Sequence, residues 1–432
     1  MDMEKQVNYK PRIADRLLAR KLEGMGAVLI EGPKWCGKTT TAEQQARSIL
    51  YMDDPREKMQ NIQAADINPE MLLAGDTPRL IDEWQIAPQL WDAIRFSVDH
   101  RNMDGQFILT GSAVPPIVED SAVVSHTGTG RVVRLRMRPM SLWESGDSNG
   151  SVSLGALFQG PASLMGVDHH DINDLAWMVC RGGWPRATLQ GMDIALERAY
   201  DYYDAVVNID ISRVDSTARN PERVKRLMRS YARYQGAQAP LSSISADMKA
   251  NDYSSLDERT VASYIEALKK IFVIEDMPAW NPNLRSKTAI RTSDTRYFID
   301  PSIAVAALGL GPNDLLADLN TFGLLFETMC VRDLRTYADS LNGNVYHYRD
   351  KEGLECDAVV HLRNGSYGLV EIKLGGDRLI EEGAKTLLRL AKKIDVTKMK
   401  VPSFLMVLTG TSKYAFRRED GVLVVPVCCL KD

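Results

Sequence analysis

A short turn rich in glycine lies close to the amino terminus, and its residue types could bind phosphate. The segment Gly32 to Thr39, "GPKWCGKT", fits the spacing G-x-x-x-x-G-K-[ST] and follows the apolar run "AVLIE". Glycines at these places let backbone N–H groups curl around an anion, and a helix that begins here adds its partial positive charge. The chemistry expected from this stretch is therefore binding of a nucleotide's phosphate groups.

Within this turn the residues have separate expected roles. Lys38 would reach the β- and γ-phosphates, and the hydroxyl of Thr39 would hold Mg²⁺. The simpler alternative is a glycine turn in front of an ordinary helix. The residues expected to contact the nucleotide are Gly32, Pro33, Lys34, Trp35, Cys36, Gly37, Lys38, Thr39, Thr40 and Thr110.

Two acidic residues end a second apolar stretch, "PRLIDEWQ". Asp82 would support the Mg²⁺ shell, and Glu83 would act as the general base that polarises the attacking water. The alternative is a strand end with two solvated carboxylates. A third apolar run, "GQFILTGSA", ends in Thr110, Gly111 and Ser112. Their polar groups would sense the γ-phosphate from a neighbouring strand, unless they simply form a turn.

An arginine-rich stretch follows in "TGTGRVVRLRMRPMSLWES". Arg134, Arg136 and Arg138 alternate with apolar residues, which predicts a strand with one basic face, and a solvated face is the favoured interpretation. Arg131 differs because it follows glycines and precedes the strand. It is a candidate to deliver a guanidinium to the γ-phosphate, in the same chain or in a neighbouring subunit.

The elements that must position these groups are parallel strands and the helices that cover them. "AVLIE" has the continuous apolar character of a buried parallel strand, and "KTTTAEQQARSI" is predicted to be a helix. Taken together, "GPKWCGKTT", "LIDEWQ", "LTGSA" and "GR…RPMSLWE" resemble prokaryotic AAA-like P-loop ATPases that carry a C-terminal domain of unknown function, number 4143. The later stretches "CRGGWPRA", "YYDAVVNIDISRV", "YFIDPSIAVAALGL" and "LLFETMCVRDLR" are similar to that domain.

This resemblance implies an α/β protein in three parts. These are an AAA-like P-loop ATPase domain over residues 1–150, a helical region with a winged-helix module over 170–300, and a restriction-endonuclease-like domain over 301–432. ATP and Mg²⁺ are the implied cofactors. A stretch rich in Gly and Ser, between about residues 145 and 170, is predicted to be a linker or an exposed loop.

The middle of the chain has the order helix, short helix, helix and strand pair, which is typical of a winged helix. The helices are predicted in "RVKRLMRSYARYQG", "PLSSISADMK" and "DERTVASYIEALKK", and the strand pair in "NPNLRSKTAIRTSDTRYFIDP". Contact with DNA and contact with a protein partner both stay open for this module. The residues that could neutralise phosphates are Arg223, Lys225, Arg226, Arg229, Arg233, Arg259, Lys269, Lys270, Arg285, Lys287 and Arg291.

Two alternating strands near the carboxyl terminus, "ECDAVVHL" and "GLVEIKL", are joined by the hairpin turn "RNGS". Asp357 lies on the first strand, and Glu371 and Lys373 share one face of the second because they are two residues apart. This is the arrangement of a PD-(D/E)xK core, in which Asp357 and Glu371 would hold Mg²⁺ and Lys373 would help activate water. Glu327, on an upstream helix, is the candidate that completes the site. The alternative is an ordinary ion pair across a hairpin.

Composition and charge favour a globular cytoplasmic protein. The chain has 432 residues, a net charge of −4 and 44% hydrophobic residues, so no global charge excess indicates a nucleic-acid or membrane partner. Six cysteines without CxxC spacing are expected to be free thiols rather than a zinc site or a disulfide framework. The opening "MDMEKQVNYKPR" lacks the apolar core of a signal peptide, and no apolar run is long enough to span a bilayer.

The leading hypothesis is an ATPase whose nucleotide state is coupled to a winged helix and a nuclease-like module, acting on DNA or on a DNA-associated partner. Two alternatives stay open. In one, ATP gates Mg²⁺-dependent cleavage of nucleic acid. In the other, the chain is a nucleotide-dependent protein-binding switch with an inactive nuclease fold. Oligomerisation is also left open, because an Arg131 that acts on a neighbouring subunit would require it.

Overall fold

The computed structural model describes residues 9–111, 128–160, 164–214, 217, 219–249, 258–281 and 293–432. Its contacts divide the chain into two compact units. The first comprises Met1–Pro139, Asp210–Ala218 and Ala267–Phe272, and the second comprises Met140–Ile209, Arg219–Glu266 and Val273–Asp432. The expected division into three domains stays a prediction. None of the helices in the described part of the chain combines the length and the apolar character that a membrane crossing requires.

The first unit is built on a five-stranded sheet in which every neighbouring pair of strands is parallel. The strand order is β2-β3-β4-β1-β5. The strands are β1 (Ala27–Glu31), β2 (Ser48–Tyr51), β3 (Arg79–Asp82), β4 (Phe107–Gly111) and β5 (Val132–Arg136). Because the strands run the same way, their carboxyl ends meet at one edge of the sheet, where parallel α/β sheets bind their ligands.

Helices cover both faces of this sheet. They are α1 (Ile13–Leu22), α2 (Lys38–Glu43), α3 (Lys58–Ile67) and α4 (Leu90–Arg101). All five residues of β1 are buried, and successive side chains of a strand point to opposite faces. Ile30 packs in one core cluster with Leu18 of α1, whereas Leu29 packs in another with Ile94 of α4. Burial on both faces explains why β1 is an uninterrupted apolar run.

The helix after the glycine-rich turn is shorter than its sequence predicts. Only the first six residues of "KTTTAEQQARSI" are helical, and α2 ends at Glu43. Ser48–Tyr51 instead form β2, which pairs in parallel with β3 and sets Ile49 opposite Leu80. Pairing within the sheet therefore overrides the weak helical preference of this stretch.

The second unit contains a seven-stranded mixed sheet with the order β7-β12-β13-β11-β10-β9-β8, and a separate pair of β6 with β14. The strands β8, β9 and β10 form an antiparallel meander, and β10 pairs with β11 in parallel. The predicted hairpin is confirmed as β9 and β10. The strands of this unit are β6 (Val152–Ser153), β7 (Gly166–Val167), β8 (Gly343–Arg349), β9 (Glu355–Leu362), β10 (Tyr367–Lys373), β11 (Phe404–Thr409), β12 (Tyr414–Arg417), β13 (Leu423–Pro426) and β14 (Leu430–Lys431).

Helices precede and cover this mixed sheet. Ile380, Ala384 and Leu387 recur at helical spacing and are buried, so the helix that carries them packs on β10 and β11. By its contacts, the last turn of α11 belongs to the first unit. The helices after β5 are α5 (Leu142–Ser145), α6 (Leu154–Leu157), α7 (Ile172–Arg181), α8 (Met192–Ala205), α9 (Pro221–Arg233), α10 (Leu241–Lys249), α11 (Glu258–Lys270), α12 (Pro301–Leu308), α13 (Pro312–Ala317), α14 (Leu319–Ser340) and α15 (Asp377–Lys393).

The three helices predicted for the winged helix are present in order as α9, α10 and α11. After them, antiparallel bridges join Ile274 to Phe298 and Met277 to Thr295. The chain between the two sides of this pairing includes Arg285, Lys287 and Arg291, which lie outside the described residues. The winged-helix assignment therefore stays a prediction.

The stretch between residues 145 and 170 is not simply the linker that its Gly and Ser content predicts. Within it, β6 pairs with β14, with Val152 opposite Leu430, and β7 pairs with β12, with Gly166 opposite Ala415. Strands of two residues are too short to produce a periodic pattern, so the sequence gives no sign of them. This stretch therefore contributes two short strands to the second unit.

Candidate functional site

The predicted phosphate-binding turn connects β1 to α2 and requires glycine at both of its fixed positions. Gly37 precedes α2 with a φ of 97°, in the left-handed region that favours glycine. A Cβ on Gly32 would lie 2.1 Å from the backbone oxygen of Met137. Any larger residue at Gly32 would therefore push the turn away from the chain that follows β5.

Lys38 lies across this turn and is buried. Its Nζ donates hydrogen bonds to the carbonyl oxygens of Gly32 at 3.0 Å and Pro33 at 2.8 Å. These acceptors are neutral, whereas a phosphate would offer charged oxygens, and hydrogen bonds between two charged groups are stronger. The ammonium is therefore in position to exchange backbone partners for an anion bound in the turn.

The polar groups predicted to surround Mg²⁺ meet at the carboxylate of Asp82, at the end of β3. Thr39 Oγ1 donates to Asp82 Oδ1 at 2.7 Å, and Thr110 Oγ1, from β4, donates to the same oxygen. Burial raises the pKa of Asp82, and the two hydroxyls oppose that shift. One carboxylate and two hydroxyls at this edge provide the oxygen donors that Mg²⁺ prefers. Ser112, the third predicted sensor, lies outside the described residues.

Glu83, the predicted general base, follows Asp82 in an uncommon backbone conformation. Its φ is 53°, in the left-handed region, where non-glycine residues are rare and often functional. Gln85 Nε2 donates a hydrogen bond to Oε2 of Glu83. Burial raises the pKa of Glu83, and the charge of Lys38 opposes the shift. Gln85 was not apparent from the sequence, because a glutamine two residues after an acid is not part of the nucleotide-binding pattern.

The middle residues of the turn differ in what they can offer a nucleotide. Pro33 has no N–H to donate. The Nζ of Lys34 lies 2.5 Å from Asp210 Oδ1, so its ammonium is directed to that carboxylate. Cys36 is buried, with its Sγ 3.8 Å from the Met137 oxygen, and Trp35 is half exposed. Lys34 and Cys36 are therefore suited to contribute backbone N–H groups rather than side chains.

Arg131 does not lie near the turn of its own chain. It precedes β5, which runs parallel to β1, so it lies at the amino edge of the sheet while the turn follows the carboxyl end of β1. Five strand residues separate the two edges by about 16 Å. The Arg131 guanidinium instead binds Asp99, with Nε 2.8 Å from Oδ1. The prediction that Arg131 reaches the γ-phosphate in the same chain is therefore wrong, and delivery to a neighbouring subunit stays a prediction.

The basic face predicted for β5 is partly neutralised by Glu31. Arg134 Nη1 lies 2.8 Å from Glu31 Oε2, and Arg136 Nη2 lies 3.3 Å from Oε1 of the same carboxylate. The strand ends at Arg136, so Arg138 lies beyond it. Arg134 and Arg136 therefore lie on a partly exposed strand face and pair with Glu31, in agreement with the favoured interpretation of a solvated face.

In the second unit, Asp357, Glu371 and Lys373 meet where β9 pairs with β10. Lys373 Nζ lies 3.0 Å from Asp357 Oδ2 and 2.7 Å from Glu371 Oε2. The N–H of Ile372 also donates to Asp357 Oδ2, at 2.7 Å. Burial alone would lower the pKa of Lys373, but the two carboxylates raise it above its usual value. The lysine is therefore a cation held between two acids.

Glu327, on α14, belongs to the same cluster. Its Oε1 accepts a hydrogen bond from the hydroxyl of the buried Tyr297. Burial and the charge of Asp357 raise the pKa of Glu327, and the same two causes raise the pKa of Glu371. The cluster thus has three carboxyl groups and one ammonium, which is paired with Asp357 and Glu371, and a divalent cation would compensate the excess of acid. Tyr297 was missed from the sequence, because its position in "YFIDP" gives no sign of a neighbouring acid.

Some of the basic residues considered for DNA contact already have acidic partners. On α9, Lys225 pairs with Glu222 at 3.1 Å, and Arg233 pairs with Asp247 of α10 at 2.8 Å. The side chains of Lys225 and Arg233 remain partly exposed, and each contributes an ion pair to the surface rather than an uncompensated positive charge. Contact of this region with DNA stays a prediction.

Three family profiles match successive stretches of the chain. Residues 25–145 match an AAA domain, residues 172–314 match a domain of unknown function (DUF8612), and residues 322–430 match a domain of unknown function (DUF4143). Three stretches expected to belong to domain 4143 fall within the DUF8612 match instead, and they are "CRGGWPRA", "YYDAVVNIDISRV" and "YFIDPSIAVAALGL". "LLFETMCVRDLR" lies within the domain 4143 match, as expected.

Similar whole proteins come from mycobacteria and an archaeon. The uncharacterized proteins Rv2008c of Mycobacterium tuberculosis and Mb2031c of Mycobacterium bovis are each 23% identical over 420 residues, which are 96% of this chain and 83% of theirs. Among solved structures, the Walker-type ATPase PABY2304 of Pyrococcus abyssi is 14% identical with a TM-score of 0.42. That match covers 71% of this chain and 99% of the archaeal one.

The AAA match covers the strands and the polar residues that meet at the carboxyl edge of the first sheet. It begins just before β1 and ends within α5, so it includes the glycine-rich turn, Asp82, Glu83 and Thr110. The parallel sheet agrees with the order of motifs along this stretch. Residues 25–145 therefore form an AAA-like P-loop domain, followed in the same chain by domains of unknown function 8612 and 4143.

Proposed function

We propose that this protein binds ATP together with Mg²⁺ and hydrolyses it at the carboxyl edge of the parallel sheet. The proposal rests on the hydrogen bond that Thr39 Oγ1 donates to Asp82 Oδ1 at 2.7 Å. Thr39 directly follows Lys38, whose Nζ bonds to carbonyl oxygens of the turn. A nucleotide-binding turn without an acidic partner would not support hydrolysis. Here the partner, and a second carboxylate on Glu83, come from the neighbouring motif.

Each residue has a part in this reaction. Lys38 would exchange its carbonyl partners for the β- and γ-phosphate oxygens, and the turn's N–H groups would orient the phosphate chain. Glu83 would accept a proton from the attacking water, while Gln85 holds its carboxylate in place. Thr110 would keep Asp82 oriented through their shared hydrogen bond.

The residues present fit a magnesium ion. Thr39 and Asp82 are hard oxygen donors of the kind that hold Mg²⁺ in phosphoryl-transfer sites, and burial already disfavours an uncompensated charge on Asp82. When bound, Mg²⁺ neutralises charge on the phosphate oxygens and so favours the transfer.

The test is phosphate release from ATP by the purified full-length protein with Mg²⁺. We expect Lys38→Ala to weaken nucleotide binding about 10- to 100-fold, the effect of losing a hydrogen bond to a charged group. Glu83→Gln should keep binding and lower turnover about 100- to 10,000-fold. Lys398→Met is the matched control, because it removes an exposed lysine outside the turn, whose Nζ lies 2.8 Å from Asp395 Oδ2. Equal activity of Lys38→Ala and wild-type protein would contradict the proposal.

A second candidate function is favoured by the cluster of Asp357, Glu371, Lys373 and Glu327. We propose that a divalent cation binds Asp357 and Glu371, as in a PD-(D/E)xK core. The order helix, three-stranded meander, helix and parallel strand, from α14 to β11, supports this core. Bound there, the cation would supply a nucleophilic water and neutralise phosphate charge. Lys373 would stabilise negative charge that develops on the phosphate. Glu327 would complete the site as its third carboxyl group.

The nuclease proposal is tested with plasmid DNA and RNA substrates in the presence of Mg²⁺ or Mn²⁺. We expect Lys373→Ala to lower cleavage about 100- to 1000-fold, the usual effect of losing one stabilising donor. Lys400→Ala is a suitable control, because its Nζ donates to the Asn364 carbonyl and the Ser366 hydroxyl. Identical products from wild-type and Lys373→Ala protein would rule out nuclease activity at this cluster and would favour the inactive nuclease fold.

The predicted winged helix would link the nucleotide state of the protein to a binding partner. We propose DNA or a DNA-associated protein as the partner of the region from α9 to α11. Affinity for duplex DNA that falls steeply with salt would support direct contact with DNA. Binding that depends on ATP but not on salt would favour a protein partner, and hence the nucleotide-dependent switch.

A further inference from the structure

A cluster of three metal-binding side chains lies in the second unit, apart from the residues assigned to catalysis. Asp168 and His170 follow β7, and Cys428 lies between β13 and β14. One donor atom from each residue lies within 4.8 Å of the donor atoms of the other two. Among the described residues, no other group of three His, Cys, Asp or Glu side chains meets this criterion. Glu327, Asp357 and Glu371 therefore do not converge as closely.

The carboxylate of Asp168 is incompletely satisfied. Asp168 is 2% exposed, yet its Oδ2 is buried without a hydrogen-bond partner. A buried carboxylate oxygen without a partner is costly, because it has left water and gained nothing in exchange. The other oxygen, Oδ1, accepts hydrogen bonds from the N–H of His170 at 2.9 Å and from its Nδ1 at 2.8 Å. Asp168 therefore has one oxygen that orients the histidine and one that lacks a ligand.

The surrounding backbone holds the donors in place. The N–H of Asp168 donates to the carbonyl oxygen of Lys413 at 2.9 Å, and Lys413 Nζ donates to the carbonyl oxygen of His170 at 2.6 Å. On the other side, Cys428 belongs to a turn just before β14, which pairs with β6. The donors are thus fixed by short strands on either side, so little ordering is left for ligand binding.

We propose that Asp168, His170 and Cys428 bind a zinc-class divalent transition metal ion. One thiolate, one imidazole and one carboxylate form the mixed donor set that suits Zn²⁺, whereas Mg²⁺ and Ca²⁺ take oxygen donors alone. The Cys428 thiol would lose its proton to solvent as its sulfur binds the ion. The side chain of His170 is 33% exposed, so the ion has an access route and water can supply the fourth ligand.

The position of the site indicates a structural role. It would link the segment after β7, near residue 168, to the last strands of the chain, near residue 428. Because those segments are held by strands of only two residues, a metal ligated by both would add much to their attachment. The role does not depend on ATP hydrolysis or on nuclease activity.

The test uses Co²⁺ as a spectroscopic probe of the full-length protein after treatment with a chelator. Binding through a thiolate should produce a sulfur-to-cobalt charge-transfer band and the strong visible bands of tetrahedral Co²⁺, at one equivalent per chain. His170→Asn should lose these bands or form them only at much higher Co²⁺, because loss of even an outer partner of a metal ligand weakens metal affinity about 10- to 100-fold. His169→Asn, an exposed neighbour outside the donor set, should match the wild type.

The unfolding midpoint and circular dichroism provide two further tests of the metal site. Zn²⁺ should raise the unfolding midpoint of wild-type and His169→Asn protein and have little effect on His170→Asn. Circular dichroism should show that both variants are folded before metal is added, because His170 is only partly buried. Absence of a thiolate band in the wild type, or identical bands in His170→Asn, would overturn the assignment. A band that forms in His170→Asn with the affinity of the wild type, but disappears in Cys428→Ser, would also overturn the three-ligand site.

Discussion

Single side chains decide whether the carboxyl edge of the first sheet can do more than bind a nucleotide. Glu83 is held by Gln85 and lies where burial raises its pKa. A general base must be ionised to accept a proton, so its activity is lost as pH falls through its pKa. Because the pKa of Glu83 is raised, the acid limb of the ATPase profile should lie above the ordinary glutamate value of about 4.3.

Removing the glutamine tests this assignment. The hydrogen bond from Gln85 favours the charged form of Glu83 and lowers its pKa. We therefore expect Gln85→Leu to move the acid limb of the turnover profile further towards neutral pH. Turnover should also fall, because Gln85 no longer holds the carboxylate of Glu83 in place. The measurement is the pH dependence of phosphate release at saturating ATP. In the control Gln89→Leu, which removes a hydrogen bond to Asp66 on the surface, the limb should not move. An unchanged limb in Gln85→Leu would separate Glu83 from the proton transfer.

At the scale of elements, some of the architecture follows from the sequence because each motif has a strong local signal. The buried strand β1, the glycine-rich turn and the hairpin of β9 and β10 were all predicted where they occur. The length of α2 and the two-residue strands β6 and β7 were not, because pairing with distant segments determines them. The zinc-class site proposed above was invisible for the same reason, since its ligands at residues 168–170 and 428 share no local spacing.

A buried ion cluster joins several helices of the second unit. Arg332 of α14 is 2% exposed and binds both Asp300, at 2.8 Å, and Asp333, at 2.7 Å. Asp300 also caps α12 through the N–H of Ser302 at 3.0 Å, and Asp333 accepts from the N–H of Leu142 at 3.0 Å. The guanidinium therefore compensates two buried acids that fix helix ends.

Removing that guanidinium should destabilise the protein strongly. Arg332→Met leaves two buried carboxylates without a counter-charge, and breaking a buried pair costs about 3–5 kcal/mol. The free energy of unfolding, from urea denaturation, should fall by this amount. Lys398→Met removes an exposed lysine that pairs with Asp395, and should change stability by less than about 1 kcal/mol. Similar losses in the two variants would contradict the importance of the buried cluster.

At the scale of the whole molecule, the chain has the proposed nucleotide site in one compact unit and a carboxylate–lysine cluster in the other. Each is assembled from residues of its own unit. If the sites bind their ligands separately, a ligand that stabilises one should not need the key residue of the other. Linkage gives the expected size, because a ligand at a hundred times its Kd stabilises the folded state by about 2.7 kcal/mol.

Thermal unfolding of three proteins tests this separation. We expect ATP with Mg²⁺ to raise the unfolding temperature of wild-type and Lys373→Ala protein alike, and to leave that of Lys38→Ala almost unchanged. A loss of the ATP effect in Lys373→Ala would show instead that nucleotide binding requires the second cluster. The comparison uses the full chain throughout, so differences in domain boundaries do not affect it.

The most direct measurement is calorimetric titration of ATP with Mg²⁺ into Glu83→Gln protein, in which hydrolysis is slowed and binding is seen alone. We expect one nucleotide to bind per chain, with affinity reduced about 10- to 100-fold when Lys38→Ala is added to the same protein. No binding to Glu83→Gln protein, or equal affinity with and without Lys38, would contradict nucleotide binding at the glycine-rich turn.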